Sequence, residues 1–303
     1  MYKEIVLAVN PADKNDAPAE AAIGLAREHN AALVITYVHN PFFAELSMRE
    51  RSSTHLKKMG RIKEDLQRKY ARKIQGLRQC SYFVVQGDPA TEILRIARMV
   101  RADLVVLGPH PVKYEKKRSR ARRLHKPEPR VSTMERVAQL ADCPVMVVAN
   151  MVADMQLQYT HVVAATDFSP HAEHALRYAA QLAGLYKAKL QILNVLETGA
   201  LGSEVPASEI RQRIQEAEHR LAQDILPKLR EAKKIVYECR PGRPDEEILK
   251  LAGESRAELI VMAHHSKEED PQKAVLGSTV AKVALDSKCP TITINRPFQI
   301  SSQ

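Results

Sequence analysis

No apolar run in this chain of 303 residues approaches the roughly 18–20 residues needed to span a bilayer. A membrane-spanning segment is therefore not expected. The opening MYKEIVLAVN enters a strand pattern at once, without the basic start and long apolar stretch of a signal peptide. There are four cysteines, none at C-x-x-C or metal-ligand spacing, which argues against a disulfide framework or a zinc site and for a reducing, cytoplasmic setting. The P-loop pattern G-x-x-x-x-G-K-[ST] is also missing, and with it the usual phosphate-gripping lysine. Neither half offers a clear nucleophile, base and orienting group, so no catalytic residue is singled out.

What the chain has is charge in one place. The formal net charge is +10. Between Lys113 and Arg130 stand nine Lys or Arg against Glu115 and Glu128, a net of +7 in 18 residues. The basic character belongs mostly to one loop, not to the whole surface. Such a loop could meet an acidic protein partner or RNA through counterion release. Tyr114 is its only aromatic residue, which gives base stacking little support.

The chain also repeats itself. Residues 87–107 read GDPATEILRIARMVRADLVVL and residues 242–262 read GRPDEEILKLAGESRAELIVM, an offset of 155 residues at every shared position. Ser132-Thr133 and Cys143-Pro144 recur as Ser278-Thr279 and Cys289-Pro290 at an offset of 146, so the first copy carries nine extra residues before its Ser-Thr pair. IVLAVN (5–10) parallels VVAATD (162–167) at an offset of 157. A period this long means two copies of one unit, expected at 1–150 and 158–297, the first including the basic loop at 109–130. Each is large enough for its own core. Cys143 and Cys289 hold equivalent places before the last strand and read as small buried residues.

Each copy reads as βαβαβαβαβ. In the first, the elements fall at 4–9, 16–30, 32–38, 47–77, 81–86, 89–101, 103–108, 132–142 and 144–149. In the second, a helix opened by Ser208 spans roughly 207–231, and Pro244 starts the third helix in its first turn. Several strands are unbroken apolar runs. That pattern means burial on both faces, hence an α/β fold with a mostly parallel sheet between helices. The charged helix containing RIKEDLQRKYARK reads as a solvated face.

In an open parallel sheet, ligands lie beyond the carboxyl ends of the strands, where the strand order reverses. Those ends carry Asp167, Asn194-Val195 and Ala263-His264-His265-Ser266. Gly277-Ser278-Thr279 opens the last helix, and a helix N-terminus with glycine and hydroxyls suits a phosphate. Asp167 could accept hydrogen bonds from a base or a ribose, or could simply cap the first helix; Ser278 could be no more than an N-cap. His264-His265 reads as a solvated loop pair. The acidic run Glu268-Glu269-Asp270 could hold Mg2+ beside a triphosphate.

Taken together, Asp167 after the first strand, G-x-P-x-x-E-I, A-[DE]-L-I-V, L-G-S-T-V-A-K-V and Cys-Pro-x-x-x-[IV] resemble the universal stress protein domain, twice, over nearly the whole chain. The resemblance implies two doubly wound domains, each a five-stranded parallel sheet of order 3-2-1-4-5. It also implies pairing through the last strands, 144–149 and 290–295, within one chain or in a homo-oligomer. Many members bind ATP through an Asp after the first strand, a backbone contact in the second and G-x-x-G-x(9)-G-[ST]. Carried over, that pattern falls on Asp167, Val195, Ala263, His264, Ser266, Gly277, Ser278 and Thr279. Ala263 and Ser266 replace two of its glycines, and the loop is one residue longer. The first copy departs further, with Asn10 for the acid and Val131 for the glycine, although Gly108 remains. The resemblance thus implies a cytoplasmic stress-response protein that binds adenine nucleotide (ATP or AMP) in the second copy and acts as a sensor. The alternatives are an interaction module built on loop 112–130, and a slow ATPase or self-phosphorylating protein at Ser278 or Thr279.

Overall fold

The computed structural model describes residues 2–13, 15–40, 52–109, 132–149, 159–197, 206–264 and 277–298. The basic loop 112–130, Val131, the join between the copies and residues 265–276 lie outside the described residues. The first copy runs β1 (Glu4–Ala8), α1 (Ala17–Glu28), β2 (Ala32–His39), α2 (Ser52–Tyr70), β3 (Gln79–Gln86), α3 (Pro89–Val100), β4 (Leu104–Leu107), α4 (Thr133–Leu140) and β5 (Val145–Val147). The second runs β6 (His161–Thr166), α5 (Pro170–Tyr186), β7 (Lys189–Glu197), α6 (Ala207–Arg220), β8 (Lys234–Gly242), α7 (Pro244–Glu254), β9 (Leu259–Ala263), α8 (Ser278–Asp286) and β10 (Thr291–Ile294).

The strands form a single ten-stranded sheet of order β3-β2-β1-β4-β5-β10-β9-β6-β7-β8. Within each copy all pairs are parallel and the order is 3-2-1-4-5, as expected. The copies meet where β5 and β10 run antiparallel, with Ile292 opposite Met146. The last strands therefore pair within one chain. Asn295 reinforces the joint by donating through Nδ2 to the carbonyls of Gln139 and Ala141 at the end of α4, and Arg296 pairs with Asp142.

The sheet alternates as its pleat requires. Ile5, Leu7, Ile292 and Ile294 point to a core shared with α1, α2, α5 and the segment after α6. Val6, Val105, Val163 and Ile260 point to a second core under α3, α4, α7 and α8. Burial on both sides is why these strands are almost wholly apolar.

The repeated G-x-P-x-x-E block has a structural reason. Gly87 (φ 154°) and Gly242 (φ 149°) adopt backbone that L side chains avoid. In both copies a glutamate lies over the glycine: a Cβ there would come within 2.9 Å of Glu92 Cγ or 3.0 Å of Glu247 Cγ. Pro89 and Pro244 then occupy the first helical position, where no N–H is needed.

The helix expected at roughly 207–231 is not continuous. α6 ends at Arg220, a π-turn occupies Leu221–Ile225 and a 3-10 turn Leu226–Lys228. Pro227 cannot supply the N–H that an α-helix would need there. Its N-cap is Pro206 and not Ser208. In the first copy the described part of the corresponding helix ends at Tyr70, shorter than expected, and gives way to turns at 71–76.

Gly184 in α5 separates two opposing effects. Alanine there should gain up to ~1 kcal/mol of helix propensity. A Cβ, however, would lie 2.5 Å from the Glu231 carbonyl oxygen and 3.0 Å from its carbon. That backbone is anchored by the turn before β8 and cannot swing away as a side chain could. Gly184→Ala is therefore expected to destabilise by about 1–2 kcal/mol net, measured by urea unfolding; a gain in stability would show that the segment at 231 is loosely held.

Candidate functional site

The carboxyl edge of β7, β6 and β9 carries the residues expected there. Asp167 follows β6 and is exposed; Val195 is partly buried near the end of β7. Ala263 ends β9, and His264 continues it by donating its N–H to the Ile294 carbonyl at 3.0 Å. Gly277 returns the chain to this edge, its N–H directed to the His264 carbonyl at 3.3 Å. Ser278 and Thr279 then open α8. Ser266, His265 and the run 268–270 lie outside the described residues. Asp167, Val195, Ala263, His264, Gly277, Ser278 and Thr279 are thus placed along one edge, around the switch point between β6 and β9.

Asp167 is not the helix cap. Ser169 is, its Oγ accepting from Ala172 N–H at 3.1 Å. Asp167 Oδ1 instead accepts from Ser169 N–H at 3.0 Å, a local Asx turn that leaves its other oxygen available. The turn is braced from beneath. Thr166 Oγ1 accepts from Phe168 N–H at 3.1 Å. The buried Asn194 donates to the Thr166 carbonyl at 2.9 Å, and its Oδ1 accepts from the Cys239 thiol at 3.2 Å. Asn194 was visible in the sequence only as a residue near a strand end. Its role as the brace of this turn needs the β6–β7 register, in which it stands opposite Thr166.

Ser278 is not an N-cap either. Gly277 holds that position, with no side-chain hydrogen bond to the helix and no acidic residue in the first turn. Among the described residues the first N–H groups of α8 have no intrahelical or capping acceptor. Gly277 has φ −57°, and a Cβ there would meet only ordinary contacts at 3.6 Å and beyond. A steric demand for glycine is absent in this conformation; what glycine leaves open is the approach to those N–H groups.

The first copy closes the same place. Ser132 caps α4 by accepting from Glu135 N–H at 3.1 Å, and Ser132 N–H donates to Glu135 Oε2 at 2.6 Å. This capping box satisfies the donors and puts a carboxylate at the positive end of the helix. The signal was legible as S-x-x-E at 132–135; the equivalent of Glu135 in the second copy is Ala281. Asn10 folds back on Ala12 N–H at 3.1 Å. Beside it Asn15, Pro18, Lys69, Tyr70 and Gly108 line a cavity of only about 20 Å³, room for about one water. Lys69 and Lys73 grip Asp16 at 2.6 and 3.1 Å. Burial works against the Asp16 carboxylate, but these two lysines hold its pKa below the ordinary range.

His264 is fully buried, contrary to the reading of His264-His265 as a solvated pair. The hydrogen bonds of its backbone to Ile294 and Gly277 extend the β9 edge inward and take the ring out of solvent. Cys143 and Cys289 are buried as expected, and burial pushes their thiols up to about 12 and about 11. Among the described residues no group of three or more His, Cys, Asp or Glu gathers as a metal site. Nor is any helix among them long and apolar enough to cross a membrane.

The fold and edge define a duplicated doubly wound α/β protein, its two units joined through their last strands and unequal at their switch points. The model of the universal stress protein family matches residues 1–149 and again 158–295. The chain belongs to that family, as a tandem of two copies. A universal stress protein from Archaeoglobus fulgidus DSM 4304 has the same fold at 19% identity, covering 97% of this chain and 96% of its own, with a TM-score of 0.66. A functionally unknown protein from Pseudomonas aeruginosa PAO1 is similar at 15% identity, covering 97% of this chain and 92% of its own, with a TM-score of 0.58. No curated protein matched the sequence.

Proposed function

We propose that the second copy binds an adenine nucleotide, ATP or AMP, and that the protein acts as a cytoplasmic stress sensor in which the first copy serves as a structural partner. The observation that carries this reading is the contrast between the two helix starts. α4 is sealed by Ser132 and Glu135, whereas α8 begins at an uncapped glycine with no acid in its first turn. An anion at the α8 start would find free N–H donors and the positive end of the helix. At α4 it would meet the Glu135 carboxylate. Ser278 and Thr279 add hydroxyls, and Asp167 lies on the same edge with an oxygen to spare for a base or ribose. Val195, Ala263 and His264 supply backbone along that edge, with Ser266 beyond the described residues. The four free cysteines fit a reducing compartment.

In this reading 1–150 and 158–297 are separate domains with divided roles. Mg2+ would accompany a triphosphate as its counterion. A second site for an acidic protein or RNA at loop 112–130 rests on charge alone, and the described geometry adds nothing to it. Hydrolysis or self-phosphorylation at Ser278 or Thr279 remains the alternative reading; the contrast between the two helix starts speaks to anion binding and not to a reaction, so binding is the reading preferred.

A ligand that binds only the folded state stabilises it by mass action. ATP with Mg2+ at a hundred times Kd is therefore expected to add about 2.7 kcal/mol, seen as a rise in Tm. Asp167→Ala should lose most of that rise while the Tm without nucleotide stays within about 1 °C, because Asp167 is exposed and bonds only within its own turn. No shift at millimolar ATP or AMP in the native protein would overturn the proposal.

A further inference from the structure

We propose that Arg220 is a positioning residue that clamps the Asp167 turn in its binding-ready form, an inference that rests on the nucleotide reading of the second copy. Phe168, the residue directly after Asp167, has φ +63°. For an aromatic residue this left-handed conformation is unfavourable and must be held from outside. Thr166 Oγ1 holds its N–H from beneath, and Arg220 holds it from above. Its guanidinium carbon lies 4.6 Å from the centroid of the Phe168 ring, and its Nη2 donates to the Phe168 carbonyl at 3.4 Å. One side chain thus grips both the ring and the backbone of the strained residue.

A second, independent irregularity sits beside it. The π-turn at Leu221–Ile225 begins directly after Arg220. Inserting a π-turn rotates the residues before it relative to those after it. Leu221 and Ile225 remain anchored in the core while Arg220 is brought over the turn. Irregular helix of this kind survives only where something offsets its cost, and such sites are often functional.

The first copy lacks every part of this device, although its framework is the same. Lys73 pairs with Asp16 at 3.1 Å just as Lys228 pairs with Glu173 at 2.8 Å, so the alignment of the helices between copies is secure. At that alignment Asp65 stands for Arg220 and Pro11 for Phe168. Proline cannot reach positive φ, Asp65 pairs with Arg68 on its own helix, and α2 runs to Tyr70 without a π-turn. Clamp and uncapped helix start occur together in one copy, and both are missing from the other.

The test is a double-mutant cycle with ATP binding measured by calorimetry, and with amide hydrogen exchange at 167–172 measured on the protein without ligand. Arg220→Ala should weaken ATP binding about fivefold to tenfold, the effect of losing an exposed cation–π contact and one hydrogen bond, and should speed exchange in the turn. Arg220→Lys should restore part of both, since a lysine can sit over the ring but cannot reproduce the fork. In a Phe168→Asn background, where the left-handed conformation is no longer costly, Arg220→Ala should have less than a twofold effect. An undiminished effect in that background would mean that Arg220 touches the nucleotide directly, and would overturn the clamp. Unchanged exchange and unchanged binding in Arg220→Ala would overturn it too. If the native protein binds no ATP while Arg220→Ala still loosens the turn, the clamp stands as a structural feature and the nucleotide reading fails.

Discussion

Ile292→Asp is expected to lower the unfolding free energy by about 4 kcal/mol or more, the range reserved for an unpaired charge in a packed interior. Ile292 is fully buried in the middle of β10. It stands between Met146 of β5 on one side and Val261 of β9 on the other. Three registered pairs make up the whole antiparallel joint between the copies, so this residue is at once core of the second copy and seam to the first. A carboxylate there meets aliphatic side chains and sheet backbone whose N–H groups are already engaged. Ile292→Ala, which removes volume without adding charge, should cost about 2–5 kcal/mol. Leu185→Asp makes a similar chemical change at a position 50% exposed in the last turn of α5, and should cost only about 1 kcal/mol, from lower helix propensity and a carboxylate at the negative end of the helix. Urea unfolding of the three variants checks the set. A loss below about 2 kcal/mol for Ile292→Asp would mean that the seam is not closed as described.

Most of the fold was legible because it rests on local rules that the chain states twice. Strand runs such as LVVL at 104–107 and LIVMA at 259–263 are apolar on every residue because both faces are covered. Pro89 and Pro244 mark helix starts, and the 155-residue offset makes each reading confirm the other. Pairing through the last strands was expected only from family resemblance, and its antiparallel, intrachain form came from the structure, since nothing in VMVVA or TITIN dictates its partner. The candidate site was less legible, for a physical reason. Which residues occupy the carboxyl edge follows from element order, and Asp167, Val195 and Gly277 fall there. How they are held depends on contacts across 28 to 52 residues of chain, from Asn194 to Thr166 and from Arg220 to Phe168. No spacing rule reports those. The π-turn hides in the same way, because LAQDI reads as ordinary helix. The roles of Ser169 and Gly277 as caps depend on where the backbone turns into the helix, and a sequence read two residues early gives the first cap to Asp167 while one read a residue late gives the second to Ser278.

Between pH 7 and pH 4.5 the protein is expected to lose about 2 kcal/mol of stability through His29 alone. His29 closes α1 in the first copy, and its Nε2 lies 2.7 Å from the Tyr186 hydroxyl at the end of α5 in the second. Tyr2 packs against the ring edge-on at 5.2 Å, and Tyr186 also reaches the Glu28 carboxylate at 3.3 Å. Burial holds the imidazole down, to a pKa of about 4. The unfolded chain takes up the proton near the ordinary value of about 6.5. In the window from about 6.5 down to about 4 the unfolded state therefore binds more protons, and stability falls as the pH falls. The full shift corresponds to roughly 3 kcal/mol; the ring is partly open to water, so about two-thirds of that is expected to appear. Glu28 acts in the opposite sense, because burial raises its pKa and the folded state takes its proton the more readily. Carboxylates held low by lysine or arginine, such as Asp16 and Asp88, add acid sensitivity at still lower pH. His29→Gln separates these contributions, since glutamine can bond Tyr186 but does not titrate. The gap in unfolding free energy between wild type and His29→Gln should shift by about 2 kcal/mol from pH 7 to pH 4.5 in favour of the variant. Parallel curves would show that the ring is hydrated and that His29 does not bind the two copies together. Because His29 joins α1 of one copy to α5 of the other, the charge that forms on acidification falls on the joint itself, at the layer of helices that covers the β5–β10 seam. Acid should therefore loosen the contact between the copies before it unfolds either one, and amide exchange around 28–31 and 183–188 should rise ahead of exchange in the β1 and β6 cores.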